Sequence, residues 1–590
     1  LQRQQASSSS VRPPSAPRVF YRSFLDFLRD LSSSAQRFWL LVIATGLLSG
    51  LGAVFLVHLL RLVQGLVWHP GEAGHDASDM AASPVARLVV CAAGGILVTA
   101  VSLIMRRPLG GHGTSGVIEA IWLKAGHLPF GRSLVRGALS IILVGMGASL
   151  GREGALIQGG AATGSWLGER FHLGTDQVRL LVACGAAAGI AAAYNMPIGA
   201  SLFGLEVFLG SFALELFGPV VVSCVLATVV SHVLIASHPT YEIPAYSLLE
   251  PRQLGVALVI GIAVGAASAL FVKVVDVTAR AALRLPRRSL VFAPTLAMLV
   301  LGVVAVWYPQ ILGNGYNAVN TELLIGLPLG LLVVLPFLKL AMTSLCAASG
   351  IPGGMFTPSL FYGALLGGAI GELASRVLTG GAGPPGAFAI VGMGAALAGT
   401  TQAVVSTTVM IFELTGNYGV VLPLMLAGVA AASISRHLVS ESLYTAPLRR
   451  RNVRLPDMPR PQWQSATPAR ALLTPGPPCV EPNAHFPELL VRLLSLPAGH
   501  DLYVCSADGR LLGVVALEAV KAHIVDEAFL GVVVAADVMT EVRPVAVEAS
   551  LSEVAARFGD TWLDRLPVVD GEGRLLGTIS KSDVLRRGRF

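Results

Sequence analysis

The chain has 590 residues, of which 54% are hydrophobic and 13% charged, and its formal net charge is +7. A soluble protein of this length carries charge on about a quarter of its residues, so a single soluble globule is excluded. The basic excess sits at the margins of apolar runs, as "RR" at 106–107, "RLPRR" at 284–288 and "RRRNVR" at 449–454. That placement is membrane-edge charge, not a nucleic-acid surface.

Residues 18–30, "RVFYRSFLDFLRD", mix aromatic and charged residues and read either as a helix lying on the inner membrane surface or as a plain tail. The expected N-terminal segment is 1–37. No secretory signal is read, because the first long apolar run starts at residue 38 behind a basic, Ser-rich lead. Apolar runs follow at 38–60, 88–105, 137–151, 180–205, 254–272, 340–371, 377–412 and 414–435. Several reach the roughly 20 residues that cross a bilayer as a helix. The loop at 69–85 holds Glu72, Asp76 and Asp79 without Lys or Arg, and the 237–250 loop also has no Lys or Arg. The positive-inside bias puts both loops outside and both termini inside.

The stretch "GASLGREGALIQGG" (147–160) sets Arg152 and Glu153 among glycines between two apolar runs. Charge at membrane depth is expensive and marks function. Three Gly-rich starts, "GHGTSG" (111–116), "GREGA" (151–155) and "GGMFTP" (353–358), open apolar stretches. A helix starting at such a break exposes unpaired N–H groups and its positive dipole end. Without water these groups need a partner, and one dehydrated anion shared by all three satisfies them. The plain alternative is that glycine only permits tight helix crossings. Glu153 beside such a site is a tethered competitor. Ionised, it occupies the pocket; protonated, or displaced by a free anion, it swings away. An ion pair with Arg152 is disfavoured, because adjacent helical residues do not face each other.

The run 185–206, "GAAAGIAAAYNMPIGASLFGLE", is matched in length and character by 392–413, "GMGAALAGTTQAVVSTTVMIFE". Each follows a Gly-rich break, and paired halves with broken segments point to a transport site between them. Composition changes after Tyr444, and 448–478 is an Arg- and Pro-rich linker. Beyond it, in 479–590, "LYVCSADGRLLGVVALEAVKAHI" (502–524) repeats as "LPVVDGEGRLLGTISKSDVLRRG" (566–588). This is the mark of two small tandem α/β units. The cysteines, at 91, 184, 224, 346, 479 and 505, show no C-x-x-C pair or nearby histidine pair, so neither a metal site nor a disulfide framework is expected.

These residues resemble the CLC chloride channel and transporter family over about 38–447, with a pair of cystathionine-β-synthase-type (CBS) domains behind. "GREGA" matches the family's G-K/R-E-G-P, "GGMFTP" its G-x-F-x-P, and "NMPIGASLFGLE" and "IFELTG" two further helices. "SESLYTAP" (440–447) matches the segment bearing the pore tyrosine. The resemblance implies an all-α polytopic membrane unit with an inverted repeat of broken helices, plus a cytosolic α/β CBS tandem. It implies a homodimer in a bacterial inner membrane, chloride as substrate, no cofactor or metal, and gating by Glu153. It implies an anion held by the Tyr444 hydroxyl and the amides of Gly154, Met355 and Phe356.

Three departures matter. Ungapped alignment puts His112 where the family has its anion-binding serine, and a shift of three puts Ser115 there. A third option leaves only the amides around Gly113. The proline of the gate motif is Ala155, which some fluoride-transporting relatives also vary; Tyr444 argues for chloride. The internal proton glutamate of the exchangers is Val207, with Glu206 beside it but about 100° around the helix. That favours a passive channel over a chloride/proton antiporter. In the tandem, "GTISKSD" (577–583) matches a nucleotide-binding pattern at Thr578, Ser580 and Asp583, whereas the first unit has Ala516 and Ala519 there. One adenine-nucleotide site is expected at most, and a ligand-free dimerisation platform is the alternative. A CBS-regulated cation carrier ranks last, because it needs acidic pore residues. An enzyme is not expected, because no nucleophile–base pair stands out.

Overall fold

The fold was analysed in a computed structural model, which describes residues 34–68, 82–105, 113–235, 241, 243–244, 246, 248, 250–378, 383–451, 453, 469–497, 500–516, 520, 532–549, 553–554, 557–558, 561 and 563–587. The stretch 18–30, His112, Ala519, most of the 69–85 and 237–250 loops and residues 454–468 lie outside them. The chain divides into two compact units, Leu1–Leu455 and Pro456–Phe590.

The first unit is helical. Its elements are α1 (Ser34–Trp68), α2 (Pro84–Ile104), α3 (Gly113–Leu123), α4 (Phe130–Gly145), α5 (Glu153–Arg170), α6 (Thr175–Tyr194), α7 (Pro197–Phe203), α8 (Leu214–Leu234) and α9 (Pro251–Leu283). They continue as α10 (Arg287–Trp307), α11 (Tyr316–Leu324), α12 (Leu329–Ala348), α13 (Phe356–Val377), α14 (Pro385–Thr401), α15 (Val404–Thr415), α16 (Val421–Leu438) and α17 (Ala446–Arg450). Among the described residues, eight helices are long and apolar enough to cross a membrane.

The apolar run 180–205 is not one helix. Asn195 takes a left-handed φ of 54° and ends α6, and Pro197 then starts α7 with its fixed φ. The run 377–412 is broken the same way: Gln402, φ 61°, ends α14 before α15 begins. The two breaks occupy equivalent places in the 185–206 and 392–413 segments. Their following helices cap each other. The Glu206 carboxylate accepts the Ser406 N–H at 2.8 Å, at the start of α15. The Glu413 carboxylate accepts the N–H groups of Ile198 (3.0 Å) and Gly199 (2.5 Å), at the start of α7. The weak sequence repeat is therefore a reciprocal pair of helix caps.

Each half also has a glycine crossing. α5 packs on α6 through Gly160 and Gly185, and α13 on α14 through Gly363 and Gly392. A Cβ built on any of the four would lie 2.0–2.2 Å from a backbone oxygen of its partner. Only hydrogen fits there, so the helices meet backbone to backbone.

The second unit holds two sheets. β2 (Cys479–Val480), β3 (Leu502–Cys505) and β4 (Leu511–Val515) form one, and β1 (Thr474–Pro475), β7 (Leu575–Ser580), β6 (Arg565–Val569) and β5 (Val545–Ala546) the other. In both, a parallel strand joins an antiparallel hairpin, with bulges at Val504/Cys505 and Val568/Val569. Both hairpins turn on a glycine at φ 81°, Gly509 and Gly573. The two turns bond each other, Leu511 N–H to the Gly573 carbonyl (3.1 Å) and Leu575 N–H to the Gly509 carbonyl (3.0 Å). Helices α18 (Phe486–Ser495), α19 (Ala535–Val538) and α20 (Lys581–Arg587) accompany the sheets. Chain assigned to the linker belongs to folded structure at both ends. α17 runs to Arg450, and β1 pairs with β7, so this unit starts before residue 479.

All six cysteines are free thiols. Cys91, Cys184, Cys224 and Cys346 are buried as small packing groups. The Cys505 thiol lies 3.5 Å from the Cys479 sulfur, and this donation brings the Cys479 thiol down to about 7.

Candidate functional site

The site forms where two of the predicted breaks meet. Gly151 N–H donates to the Gly354 carbonyl and Gly354 N–H to the Gly151 carbonyl, both at 2.8 Å. This two-residue bridge sets the starts of α5 and α13 side by side. The third break joins them: a Cβ on Gly113 would stand 2.4 Å from the Gly154 carbonyl oxygen, and one on Gly154 2.8 Å from the Gly354 nitrogen. Three helix N-termini thus converge because no side chain keeps them apart. His112 is outside the described residues.

Glu153 opens α5 and is 1% exposed. Its Oε1 accepts the N–H groups of Phe356 (2.6 Å) and Thr357 (3.1 Å). Its Oε2 accepts the hydroxyls of Thr357 (2.9 Å) and Tyr194 (3.4 Å). The carboxylate therefore fills the N-terminus of α13, the place an anion would take. Arg152 turns elsewhere. Its guanidinium donates to the Ala193 carbonyl (3.2 Å) and stacks 5.4 Å from the ring centres of both Tyr194 and Tyr316. Its backbone N–H donates to Asn314 (3.2 Å).

Tyr444 is buried, and its hydroxyl has no hydrogen-bond partner among the described residues. A buried hydroxyl without a partner costs on the order of 1–3 kcal/mol, so this atom invites a ligand. The Tyr444 ring stands edge-on to Phe203 (6.1 Å), which stands edge-on to Phe356 (6.4 Å). The orphan hydroxyl and the α13 N-terminus thus share one aromatic wall. Met355 and Phe356 are buried there. Ser115 gives its hydroxyl to the Tyr444 carbonyl at 2.7 Å. A hydroxyl has one hydrogen, so Ser115 anchors the Tyr444 backbone and has none left for an anion.

Val207 and Glu206 lie in a π-helical turn, Gly204–Leu209, that continues α7. Single π turns in helices occur often at functional sites. Val207 is buried, and Glu206 is taken by the Ser406 amide. In the tandem, Thr578 is buried and accepts from Arg565 (3.2 Å). The Ser580 hydroxyl lies 2.6 Å from that of Ser582, and its oxygen accepts the Asp583 N–H (3.1 Å). Ala516 is buried.

Sequence reading missed Tyr194, Thr357, Tyr316 and Lys339. Lys339 is fully buried and donates to the carbonyls of Ile311 (2.9 Å) and Gly313 (2.7 Å), with the Phe361 ring 5.2 Å away. It ties down the turn that delivers Asn314 and Tyr316. A lysine inside an apolar span is itself a signal.

Residues 93–436 match the family model described as voltage gated chloride channel, and 534–589 match that of the CBS domain. A putative chloride channel protein ClcB-like from Ralstonia nicotianae is 35% identical over 425 residues, covering 70% of this chain and 99% of its own. The voltage-gated ClC-type chloride channel ClcB of Citrobacter koseri is 32% identical over 414 residues, covering 68% and 97%. Among solved structures, a slow cyanobacterial Cl−/H+ antiporter superposes with TM-score 0.63 at 23% identity, covering 70% of this chain and 98% of its own. A eukaryotic CLC transporter superposes with TM-score 0.58 at 21% identity, covering 93% and 98%.

Proposed function

Because the chain belongs to the voltage-gated chloride channel (CLC) family of multi-pass membrane proteins, we propose that it conducts chloride passively through a pathway gated by Glu153. The observation that carries this reading is the Glu153 carboxylate seated on the Phe356 and Thr357 amides. A chloride ion replacing it meets the same amides, those of Gly154 and Met355 beside them, and the Tyr444 hydroxyl. The electrostatic demand of the pocket is one negative charge, whether tethered or free. Gly113 contributes backbone at the third N-terminus. Tyr444 favours chloride over fluoride as the cargo.

Chloride/proton exchange is the second reading. It needs an internal proton acceptor, and Val207 offers none, while Glu206 is held as a helix cap. Proteoliposomes with a chloride gradient and a pH electrode decide between them. Passive conduction gives anion efflux with no proton uptake; stoichiometric uptake sinks the channel reading and leaves the exchanger.

A homodimer, typical of the family, in a bacterial inner membrane belongs to the same reading, with both termini inside by the positive-inside bias. For the tandem, adenine nucleotide at Asp583, beside Ser580 and Thr578, is the proposed ligand. Millimolar ATP, ADP or AMP then raises the melting temperature of the full chain; no shift with any of them removes the proposal.

A further inference from the structure

The hydroxyls around Glu153 have a direction. An ionised carboxylate only accepts, and each hydroxyl has one hydrogen to give. Thr357 lies 2.9 Å from Glu153 Oε2, so its hydrogen is spent there. Tyr194 Oη lies 2.9 Å from Thr357 Oγ1 and 3.4 Å from Glu153 Oε2. Its hydrogen therefore goes inward, to Thr357 or to the carboxylate. Tyr316 Oη is 3.1 Å from Tyr194 Oη, and with the Tyr194 hydrogen already spent, Tyr316 is the donor of that pair. Every hydrogen in the row points at Glu153.

The row also has two different ends. Tyr194 and Thr357 are buried, whereas Tyr316 is only half-buried. Arg152, stacked over both tyrosine rings, holds them side by side. The Tyr241 ring stands edge-on to Tyr316 at 5.5 Å. Residue 241 belongs to the 237–250 loop, which the positive-inside bias puts outside, and on that reading the half-buried end of the row is assigned to the outer side.

We propose that Tyr316, Tyr194 and Thr357 form a hydroxyl relay that carries a proton from the outer solution to Glu153. The proposal rests on the reading of Glu153 as the gate. The transfer balances hydroxyl by hydroxyl. Hydronium gives a proton to Tyr316 Oη as Tyr316 passes its own to Tyr194, Tyr194 passes its own to Thr357, and Thr357 passes its own to Oε2. Each hydroxyl ends with one hydrogen, the hydronium becomes water, and the carboxylate becomes a neutral acid. The acid grips the Phe356 and Thr357 amides less strongly than the anion did and leaves the pocket. The charged and titratable groups facing Glu153 are Arg152 beside it, Tyr194 on α6, Tyr241, Tyr316 on α11 and Tyr444. Arg152 stays cationic throughout.

The test uses the full chain in planar bilayers in one orientation, with the pH of each side stepped in turn and the chloride current followed. Tyr194→Phe keeps the ring and removes only the hydroxyl. It slows the current's response to an outer acid step roughly a hundredfold, the low end of what a positioned proton donor contributes. Tyr316→Phe slows it less, because water reaches Tyr194 in its place. The response to inner acid stays at the wild-type rate in Tyr316→Phe, whose hydroxyl bonds Tyr194 and not the gate carboxylate, and a general structural defect would not allow that. Thr357→Val, close to isosteric, is the second break in the row and slows the outer response as Tyr194→Phe does. Wild-type outer response in Tyr194→Phe and Thr357→Val overturns the relay. Glu153→Gln separates this from failure of the gate reading: a Gln variant that still follows pH like the wild type sinks the gate, whatever the tyrosines do.

Discussion

Glu153→Ala raises chloride flux about tenfold or more at neutral pH and makes it insensitive to acid. The wild-type carboxylate must be removed from two backbone amides and two hydroxyls before chloride takes its place. Hydrogen bonds to a charged group contribute about 1.5–3 kcal/mol each in net terms. Chloride recovers part of that sum when it binds the same amides. A residual preference of only about 1.4 kcal/mol for the seated carboxylate already keeps the pathway closed nine times in ten. Alanine has no tethered anion, so this preference disappears. The sign with pH follows from the same groups. Protonation at low pH neutralises the acceptor, frees the amides and raises flux in the wild type, while the alanine variant has nothing to titrate at this position. Radiotracer or electrode measurements on proteoliposomes between acid and neutral pH check both parts. Lower flux in the variant, or an unchanged acid response, is incompatible with Glu153 as the gate.

The parts of this site that were legible in the sequence are those where one residue type admits one physical use. Glycine at 113, 151, 154 and 354 allows backbone to approach backbone, and the helix starts do converge as the Gly-rich breaks implied. Glu153 among apolar neighbours had one bland role on offer, an ion pair with Arg152, and helix geometry disfavoured it. The match of 185–206 to 392–413 was weak by identity because the small residues differ. What it preserves is two breaks and two capping carboxylates, Glu206 and Glu413. The hydroxyl row was not legible. Tyr194 ends one helix, Tyr316 starts another after a left-handed Gly315, and Thr357 is the second residue of a third. No local pattern links them; only the tertiary meeting of the halves does. Ser115 was a candidate by alignment, and its hydrogen turned out to be committed to the Tyr444 carbonyl. An ion pair of Arg152 with neighbouring Glu153 was disfavoured from the sequence. Successive residues at a helix start point different ways, and two tyrosine faces drew the guanidinium off.

The same reasoning separates two neighbouring glycines by sign. Gly159→Ala is neutral or slightly stabilising, and Gly160→Ala breaks the protein. A Cβ on Gly159 meets nothing within 4 Å, and alanine is a better helix former than glycine by about 1 kcal/mol. A Cβ on Gly160 would lie 2.0 Å from the Gly185 carbonyl oxygen and 2.7 Å from its carbon. These are backbone atoms in the middle of α6, so no rotamer change relieves the contact. α5 and α6 must separate by more than an ångström along one of the two most closely packed seams of the unit. Overpacking of this kind costs about 1–3 kcal/mol when neighbours can shift, and more when they cannot. The displaced helix is the one whose first residue is Glu153, so the strain reaches the gate as well as the fold. Thermal unfolding in detergent, followed by the loss of the monodisperse peak in size-exclusion chromatography, reads the difference. Gly160→Ala falls by several degrees or yields no monodisperse protein, and Gly159→Ala melts at or above the wild type. Equal behaviour of the two variants would mean that the backbone-to-backbone seam between α5 and α6 does not exist.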